Sequence, residues 1–281
     1  MTIRPAAVAG SWYPGNPSAL IHDLEAYLQD VPAGPRGDVR AIIAPHAGLI
    51  YSGPIGAHAY KLAARHAFDV VVLVGPSHFH HFDGVAVWPD GAFATPLGEA
   101  SIDRAGAQAL LAFPVVQHMS APHRREHSLE MQLPFIRHLL PDVPIVPLVM
   151  GLQTRETIEA LAQALAGAFR GRRALLVAST DLSHYFDART AATLDGRVQD
   201  AVAAFDAAGL LANFEQYPEH ERGRYVACGG GPAIAVMQAA KALGARDGRV
   251  LKYGHSGEIS GDYGAVVGYL AAAFGTFGDA H

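Results

Sequence analysis

The sequence predicts an α/β fold with a central, largely parallel or mixed sheet that is flanked by helices. Short apolar runs of strand length alternate with longer segments in which apolar residues recur at helical spacing. Residues 69–74 (DVVVLV) are the clearest strand, because a continuous apolar run suits a strand that is covered on both faces. Alternation of strands with helices favours parallel pairing. No linker or low-complexity tract divides the chain, so we expect a single domain over residues 1–281.

The predicted elements follow one another along the chain. The first helix carries Leu20, Leu24 and Leu28 at a spacing of four, and Asn16 or Ser18 would cap it. Further helices are predicted in residues 55–66, at two places within 100–140, around Ile158, Leu161, Leu165 and Phe169, in 187–208, and from the glycines at 229–231 through 243. Strands are predicted in residues 41–44, 69–74, 85–87, 144–150, 173–178, 249–253 and 265–270. The polar segment up to Tyr225 is predicted to be irregular.

Composition and charge argue against several classes of protein. The formal net charge is −5 and Lys and Arg do not cluster, so we expect no nucleic-acid partner. No apolar run reaches the roughly 18 residues that span a bilayer, so we expect no membrane insertion. The N-terminus lacks the apolar core of a signal peptide. Cys228 is the single cysteine, which excludes an internal disulfide and favours a reducing, cytoplasmic location.

Three predicted strands each lead into a turn that carries a histidine: His46, His78 and His184. Parallel strands bring their carboxyl ends to one edge of a sheet, where ligands bind in α/β proteins. We therefore expect the three side chains to share one crevice. Neutral imidazole is the commonest metal ligand and a frequent proton-transfer group. The alternative is that these histidines cap loops through hydrogen bonds to the backbone.

Cys228 lies at the start of a predicted helix, where the macrodipole and the free N–H groups favour a thiolate. A thiolate together with two imidazoles suits iron, copper or zinc. A lone cysteine is otherwise most often a small buried apolar residue. The neighbouring glycines, residues 229–231, could cradle an anion but lack the spacing of a phosphate-binding motif, so close helix packing is the preferred interpretation.

A different catalytic site is suggested by His123, Glu126 and His127, which match the H-x-x-E-H pattern of inverted zinc proteases. In that pattern both histidines bind zinc from one helical face and the glutamate activates water. Pro122 directly precedes the motif and would place it in the frayed first turn of a helix. A zinc hydrolase at these residues is a weaker hypothesis. Hydrolysis through Ser179 or Ser183 is weak as well, since no G-x-S-x-G elbow is present.

Seven segments in one order resemble the motif set of the Memo family, also called AmmeMemoRadiSam system protein B. The segments are RPAAVAGSWYP, IIAPHAGLIYSG, VGPSH, EHSLEMQLPF, STDLSHY, ACGGGP and SGDYGAVVGY. They run from Arg4 to Tyr269, which is nearly the whole chain. The resemblance implies a single α/β domain related to class III extradiol dioxygenases (LigB-like), which cleave catechol rings with ferrous iron held by two histidines and a glutamate.

The resemblance also implies roles for particular residues. His46 and His78 would be the histidine ligands, Cys228 stands where the carboxylate ligand would be, and His184 matches the acid–base catalyst. Further residues would orient or line the site: Asp181, which we count with His184 as catalytic, His127 and Glu130, and Trp12 and Tyr51 at the pocket mouth. Leu49 departs from the pattern, since relatives often have tyrosine there. A functional link to a radical-SAM protein is also implied.

These observations support a mononuclear His/His/Cys metal site with dioxygenase-like or other redox activity on a small molecule. Iron is the preferred metal, with copper or zinc as alternatives. The exchange of a hard carboxylate for a soft thiolate alters metal preference and redox behaviour, so ring cleavage does not follow from the fold. The competing hypothesis is a binding module without turnover that uses the same pocket for a peptide or small ligand.

Overall fold

A mixed sheet forms the centre of the molecule in the computed structural model, which describes residues 2–278. The strands in this range are β1 (Ile3–Arg4), β2 (Gly37–Ala44), β3 (Val70–Pro76), β4 (Val85–Val87), β5 (Ala92–Thr95), β6 (Gly98–Ser101), β7 (Val116–His118), β8 (Ile145–Met150), β9 (Ala174–Ser179), β10 (His184–Phe186), β11 (Asp247–His255) and β12 (Val266–Phe277). The large sheet has the order β10-β12-β2-β9-β3-β8-β4-β7, and β11 also pairs with β12. A small sheet joins β1, β5 and β6.

Helices cover both faces of the large sheet. Within the described range they are α1 (Pro17–Gln29), α2 (Leu49–Ala63), α3 (Arg104–Leu111), α4 (Leu133–Leu139), α5 (Arg155–Ala168), α6 (Ala188–Ala203), α7 (Ala207–Glu215), α8 (Glu219–Tyr225), α9 (Gly230–Ala242) and the short α10 (Gly257–Ser260). Single turns of 3-10 helix lie at Ala121–His123 and Glu130–Gln132. The predicted fold class, α/β with a mixed sheet flanked by helices, is confirmed.

The core is divided by the sheet into two apolar clusters. Val70, Val72 and Val74 of β3 face the cluster that includes α3, α5, α6, α7 and α9. Val71 and Leu73 of the same strand face the cluster that includes α1, α2 and α4. Alternate residues of a strand point to opposite faces, so a strand covered on both sides must be apolar throughout. This explains the uninterrupted DVVVLV run.

The four central strands, β2, β9, β3 and β8, are parallel to one another. Ala44 at the end of β2 pairs with Ser179 at the end of β9, and Pro76 at the end of β3 pairs with Met150 at the end of β8. Parallel pairing in this register aligns the carboxyl ends of all four strands. The side chains that follow these ends therefore meet above one edge of the sheet, as the sequence predicts.

Two predictions about the helices are wrong in part. Helix α2 begins at Leu49 rather than at residue 55 and contains Pro54. Leu49 and Ile55 are both buried, and packing of this kind overrides the weak helix propensity of proline. The segment predicted to be irregular contains α7 and α8. Helix α8 buries no residue and therefore shows no apolar stripe. The sequence feature that indicates this helix is its charge pattern, with acidic residues in the first turn and basic residues in the last.

Other expectations agree with the structure. Asn16 caps α1, and its side chain accepts a hydrogen bond from the backbone N–H of Ala19. The short strands β1, β5, β6, β7 and β10, none longer than four residues, were not predicted, whereas the equally short β4 was. The single-domain prediction spans residues 1–281, of which residue 1 and residues 279–281 lie outside the described part. Within residues 2–278, no helix combines the length and apolar character that crossing a membrane would need.

Candidate metal centre

A cavity of about 470 Å³ opens at the carboxyl ends of the parallel strands. His46 is the second residue after β2, His78 is the second after β3, and Asp181 is the second after β9. All three line the cavity, together with Cys228 and His184. His184 does not lie in the turn that ends β9; it begins β10, which pairs with β12 and approaches the same cavity. The expected meeting of the three histidines is therefore found.

His46 is held in one orientation by Ser179. The Nδ1 atom of His46 lies 2.9 Å from Ser179 Oγ, whose own hydrogen is donated to the carbonyl of Ser128 at 2.6 Å. Gln132 Nε2 donates to the same hydroxyl at 2.8 Å. Because the single hydroxyl hydrogen is already used, Ser179 must accept the proton that His46 carries on Nδ1. This places a proton on Nδ1 and leaves Nε2 of His46 as the ring atom that faces Cys228.

His78 is held in the same manner by Glu126. The Nδ1 atom of His78 donates to Glu126 Oε1 at 2.8 Å, and its backbone N–H donates to Oε2 at 2.7 Å. The side chain of Glu126 is 1% exposed, whereas that of His78 is 28% exposed. A carboxylate behind an imidazole is the usual support of a metal-binding histidine. The sequence motif had suggested Glu126 as an activator of water, whereas its contacts give it an orienting role.

Cys228 brings a sulfur atom to the two imidazoles. Its Sγ lies 3.2 Å from His46 Nε2 and 3.4 Å from the backbone nitrogen of Asp181, which donates to it. The next residue, Gly229, packs so tightly that an added Cβ would lie 2.4 Å from the carbonyl oxygen of Ser179. This close approach, possible only for glycine, holds Cys228 against the end of β9. It also supports the predicted packing role of the glycine run.

The thiol and the imidazoles alter each other's ionisation. Burial raises the pKa of Cys228, but the charge and hydrogen bond of His46 and the hydrogen bond of His78 outweigh burial and lower it to about 6. Burial lowers the pKa of His78, but hydrogen bonds to Cys228 and Glu126 outweigh it and raise that pKa to about 10. Burial opposes ionisation of Glu126, yet His78 lowers its pKa to about 2. Near neutral pH these shifts favour a thiolate at Cys228, an imidazolium at His78 and a carboxylate at Glu126.

His184 is half-buried at the side of the cavity. Its Nδ1 atom lies 2.7 Å from the carbonyl oxygen of Leu182, and a carbonyl can only accept, so Nδ1 carries the proton. The second ring nitrogen, Nε2, is then the atom that can take up a proton or release one. This arrangement is what a general base needs.

Asp181 connects the histidine turn to the cysteine. Its Oδ1 atom accepts hydrogen bonds from the backbone N–H groups of His46 and Ala47, and its carbonyl accepts one from the N–H of Cys228. Burial raises the pKa of its carboxyl group, although the charge of His184 opposes this. Asp181 lines the cavity and at the same time fixes the backbone on which two of the donor side chains stand.

The ring of His127 stacks on that of His78, and the ring of Trp12 lies tilted against His127. The ring of His127 lies 4.3 Å from that of His78 and 4.4 Å from that of Trp12, measured between centroids. Burial, together with the charges of His46 and His78, lowers the pKa of His127 to about 3, so this ring stays neutral. Trp12, which is 38% exposed, lines the cavity at its outer part, as predicted.

Two other predicted residues lie outside the cavity wall. Tyr51 is in the first turn of α2, next to Gly48, and does not contribute to the lining. Glu130 is fully buried, and its carboxylate accepts hydrogen bonds from the Arg4 guanidinium, the Tyr13 hydroxyl and backbone N–H groups of the N-terminal segment. Glu130 therefore acts on the site indirectly, because it anchors the segment that carries Trp12.

The arrangement required for an inverted zinc-protease site is not found. His123 ends a single 3-10 turn, and residues 124–129 are not helical, so His123 and His127 do not share a helical face. His123 Nε2 donates to the carbonyl of Ala86, and its ring lies about 6 Å from Trp88 and Phe93. Burial lowers its pKa to about 3. His123 is a core residue, and the zinc hydrolase hypothesis is wrong as stated.

The donor set fits a single metal ion. One atom from each of His46, His78 and Cys228 lies within 4.8 Å of the others. Nδ1 of each histidine is engaged elsewhere, so the facing atoms are the two Nε2 atoms and Sγ. A second possible group, His78, Glu126 and His127, shares its histidine with the first. Glu126 in that group is already engaged by His78 and by the N–H of Ser128, which favours the group that contains the thiolate.

Comparisons with known proteins agree with this architecture. A family model described as Memo-like protein matches residues 4–273. A MEMO1 family protein of Methanopyrus kandleri is 36% identical over 96% of this chain and 98% of its own, and one of Sulfolobus acidocaldarius is 36% identical over 97% and 99%. An uncharacterized protein of Escherichia coli K12 shares the fold, with a TM-score of 0.55 at 14% identity over 84% of this chain and 99% of its own. The chain belongs to the Memo family.

Proposed function

We propose that this protein binds one transition-metal ion through His46, His78 and Cys228 and uses it in redox chemistry on a small molecule, with extradiol dioxygenase-like activity as the leading form. The observation that carries the proposal is that His46, His78 and Cys228 bring one donor atom each to the same point. Hydrogen bonds to Nδ1 of both histidines hold the two rings in this orientation. Such support is characteristic of metal-binding histidines. Family membership is consistent with it.

The chemistry of the donors favours iron, with copper and zinc as the alternatives. Two imidazoles and one thiolate form a softer set than carboxylates, which Mg²⁺ and Ca²⁺ prefer. Since three protein donors leave positions open, a bound iron ion would supply a redox-active Lewis acid that accepts a substrate oxygen. The low pKa of Cys228, about 6, supplies the thiolate that binding requires.

The residues around the donors would bind the substrate and move its proton. His184 lines the cavity with its Nδ1 held by the carbonyl of Leu182, and its Nε2 atom would accept the proton of a substrate hydroxyl. Asp181 would hold the turn of His46 in place while this happens. Trp12, whose ring is tilted against that of His127, forms an aromatic wall against which a ring could lie.

A binding module without turnover is the second candidate. Its support is the exposed aromatic surface at the cavity mouth, where Trp12 is 38% and Tyr185 is 67% exposed. Exposed aromatic side chains next to a cavity are common where peptides or small ligands dock. The two candidates differ in whether His184 takes part in a reaction.

Metal analysis tests the first part of the proposal. Protein purified without a histidine tag and loaded with ferrous iron under argon should hold one metal ion per chain, measured by mass spectrometry of the metal. His46→Ala should lose the ion because it removes a donor. His123→Ala is the comparison variant and should keep the ion, because His123 is not a donor. A hydrolase site at His123 would instead require that His123→Ala lose the ion. Retention of metal by His46→Ala and its loss in His123→Ala would overturn the proposal.

Oxygen consumption tests the second part. A panel of catechols given to the loaded protein should show uptake of oxygen, and His184→Gln should lower the rate by about 100-fold or more while it leaves the metal content unchanged. Metal binding without any oxygen uptake across the panel would count against the dioxygenase form. Tight ligand binding that His184→Gln does not alter would then favour the binding module.

A further inference from the structure

Gln153 is the third residue after β8 and lines a second cavity, of about 430 Å³, that shares Cys228 and Gly223 with the metal cavity. We infer that Gln153 is a positioning residue: it sets where the Cys228 sulfur stands and thereby how strongly the site binds metal. The inference rests on the proposed function, because it concerns the same metal site. It gives the end of β8 a part in that site, beside the ends of β2, β3 and β9.

The side-chain amide of Gln153 makes two hydrogen bonds to the segment that leads into α9. Its Nε2 atom donates to the carbonyl of Cys228 at 2.7 Å, and its Oε1 atom accepts from the backbone N–H of Gly231 at 2.7 Å. A carbonyl can only accept and an N–H can only donate, so these partners fix the orientation of the amide. The amide therefore spans residues 228–231 and holds both ends of that segment.

The main chain of Cys228 is held from two strand ends. Its N–H donates to the carbonyl of Asp181, after β9, at 3.2 Å, and its carbonyl accepts from Gln153, after β8. With both polar groups of the main chain engaged, rotation about the Cα–Cβ bond is the main freedom left to the sulfur. Metal affinity depends on such support, because a donor must be held close to its productive position before the ion binds.

Gln153 is itself fixed by its surroundings. A Cβ added at Gly231 would lie 2.9 Å from Gln153 Oε1 and 2.9 Å from the sulfur of Met150, so α9 approaches the end of β8 as closely as a glycine allows. The carbonyl of Gln153 accepts from Arg222 Nη1 of α8 at 3.4 Å. A residue that positions another must be rigid, and contacts with α8 and α9 provide that rigidity.

Capping of α9 is the alternative role for Gln153, and two substitutions separate it from positioning. A cap needs only an acceptor for the free N–H groups of the first turn, and Oε1 alone would supply it. Gln153→Glu keeps an acceptor for the N–H of Gly231 but cannot donate to the carbonyl of Cys228. Gln153→Met has about the same length and can do neither. If Gln153 only caps the helix, the glutamate variant should behave like the wild type.

Cobalt(II) is the probe for the test, because its charge-transfer absorption with a thiolate reports directly whether sulfur is bound. Competition with a chelator measures the affinity. In Gln153→Met we expect the affinity to fall by about 10- to 100-fold and the thiolate absorption to weaken. In Gln153→Glu the absorption should weaken as well. For this variant the absorption is the deciding measurement, since an added carboxylate attracts a cation by its charge alone.

Two further variants control for a general loss of stability. Thr154 is the next residue in the chain and caps α5 by accepting from the N–H of Thr157. Thr154→Ala should therefore lower the melting temperature but leave cobalt affinity and absorption unchanged. In a Cys228→Ala background, Gln153→Met should cause little further loss of affinity, because there is no sulfur left to position. Thermal melting of each variant verifies that it is folded.

Three results would overturn the inference: wild-type affinity and absorption in Gln153→Met, wild-type absorption in Gln153→Glu, or an equal loss of affinity on Gln153→Met with and without the Cys228 sulfur. Failure of the proposed function gives a different pattern, in which the wild type itself binds no metal. Crystal structures of the metal-free wild type and of Gln153→Met then decide the role of Gln153 alone. The sulfur should move away from His46 Nε2 in the variant, and a distance that stays at 3.2 Å would contradict the inference.

Discussion

Cys228 Sγ and His46 Nε2 lie 3.2 Å apart, although 182 residues separate the two side chains in the sequence. The contact depends on Asp181, whose carboxylate holds the turn of His46 and whose carbonyl accepts from the N–H of Cys228. The charge and hydrogen bond of His46 and the hydrogen bond of His78 stabilise the thiolate form of Cys228. A metal ion held by the three donors would take over this stabilising role. The structure is thus arranged for a cation at this point.

Ser179→Ala should weaken metal binding although it removes no donor. The substitution removes the acceptor of the His46 Nδ1 proton and leaves Gln132 Nε2 without one of its two partners. Because support of this kind fixes both tautomer and orientation, we expect metal affinity to fall by about 10- to 100-fold in competition titrations with a chelator.

Ser183→Ala is the control for that experiment. Ser183 is also fully buried, but among residues 2–278 its hydroxyl makes no hydrogen bond to His46, His78 or Cys228. Metal affinity should change little in this variant. Equal effects of the two serine substitutions would contradict the role given to Ser179.

Glu126→Gln and Glu130→Gln should separate metal binding from stability. Glu126 orients His78, so Glu126→Gln should lower metal affinity by about 10- to 100-fold. Glu130 instead pairs with the buried Arg4, and Glu130→Gln should cost about 3–5 kcal/mol in the free energy of unfolding because it leaves a buried guanidinium without its counter-charge. Chelator competition measures the first effect and urea denaturation the second. If Glu130→Gln lost metal affinity and Glu126→Gln kept it, the roles given to the two glutamates would be contradicted.

Metal binding should release protons in a number that depends on pH. Between the pKa of Cys228 at about 6 and that of His78 at about 10, the thiol is already ionised and His78 still carries the proton that the metal must displace. One proton should therefore be released in this range. Below a pH of about 6 the thiol is protonated too, so a second proton is released and affinity falls more steeply as the pH falls. Calorimetry in buffers of different ionisation enthalpy measures both numbers. If the number of protons released stayed the same above and below a pH of about 6, the Cys228 thiol would not be a ligand.

The position of the site at the carboxyl ends of parallel strands was predictable from the sequence, because it follows from the pairing of the strands. Apolar runs locate β2, β3 and β9, and parallel pairing then forces the residues after those strands to one edge. His46 and His78 were identified on that basis, whereas Asp181 was indicated by the resemblance to the Memo family. The helical start near Cys228 was predictable as well, because an alanine-rich helical pattern follows residues 229–231.

The partners of these residues were not predictable in the same way. Glu126 is 48 residues from His78, and Ser179 is 133 residues from His46, so no local pattern joins either pair. The spacing of His123, Glu126 and His127 suggested a helix, whereas the segment turns at Pro122 and directs His123 into the core.

X-ray absorption spectroscopy of the metal-loaded protein tests the central claim most directly. With zinc as a redox-inert probe, a site formed by His46, His78 and Cys228 predicts one sulfur scatterer at about 2.3 Å and imidazole nitrogens at about 2.0 Å. In Cys228→Ser the sulfur contribution should disappear. A spectrum of the wild-type protein without any sulfur neighbour, or one that Cys228→Ser leaves unchanged, would contradict the assignment.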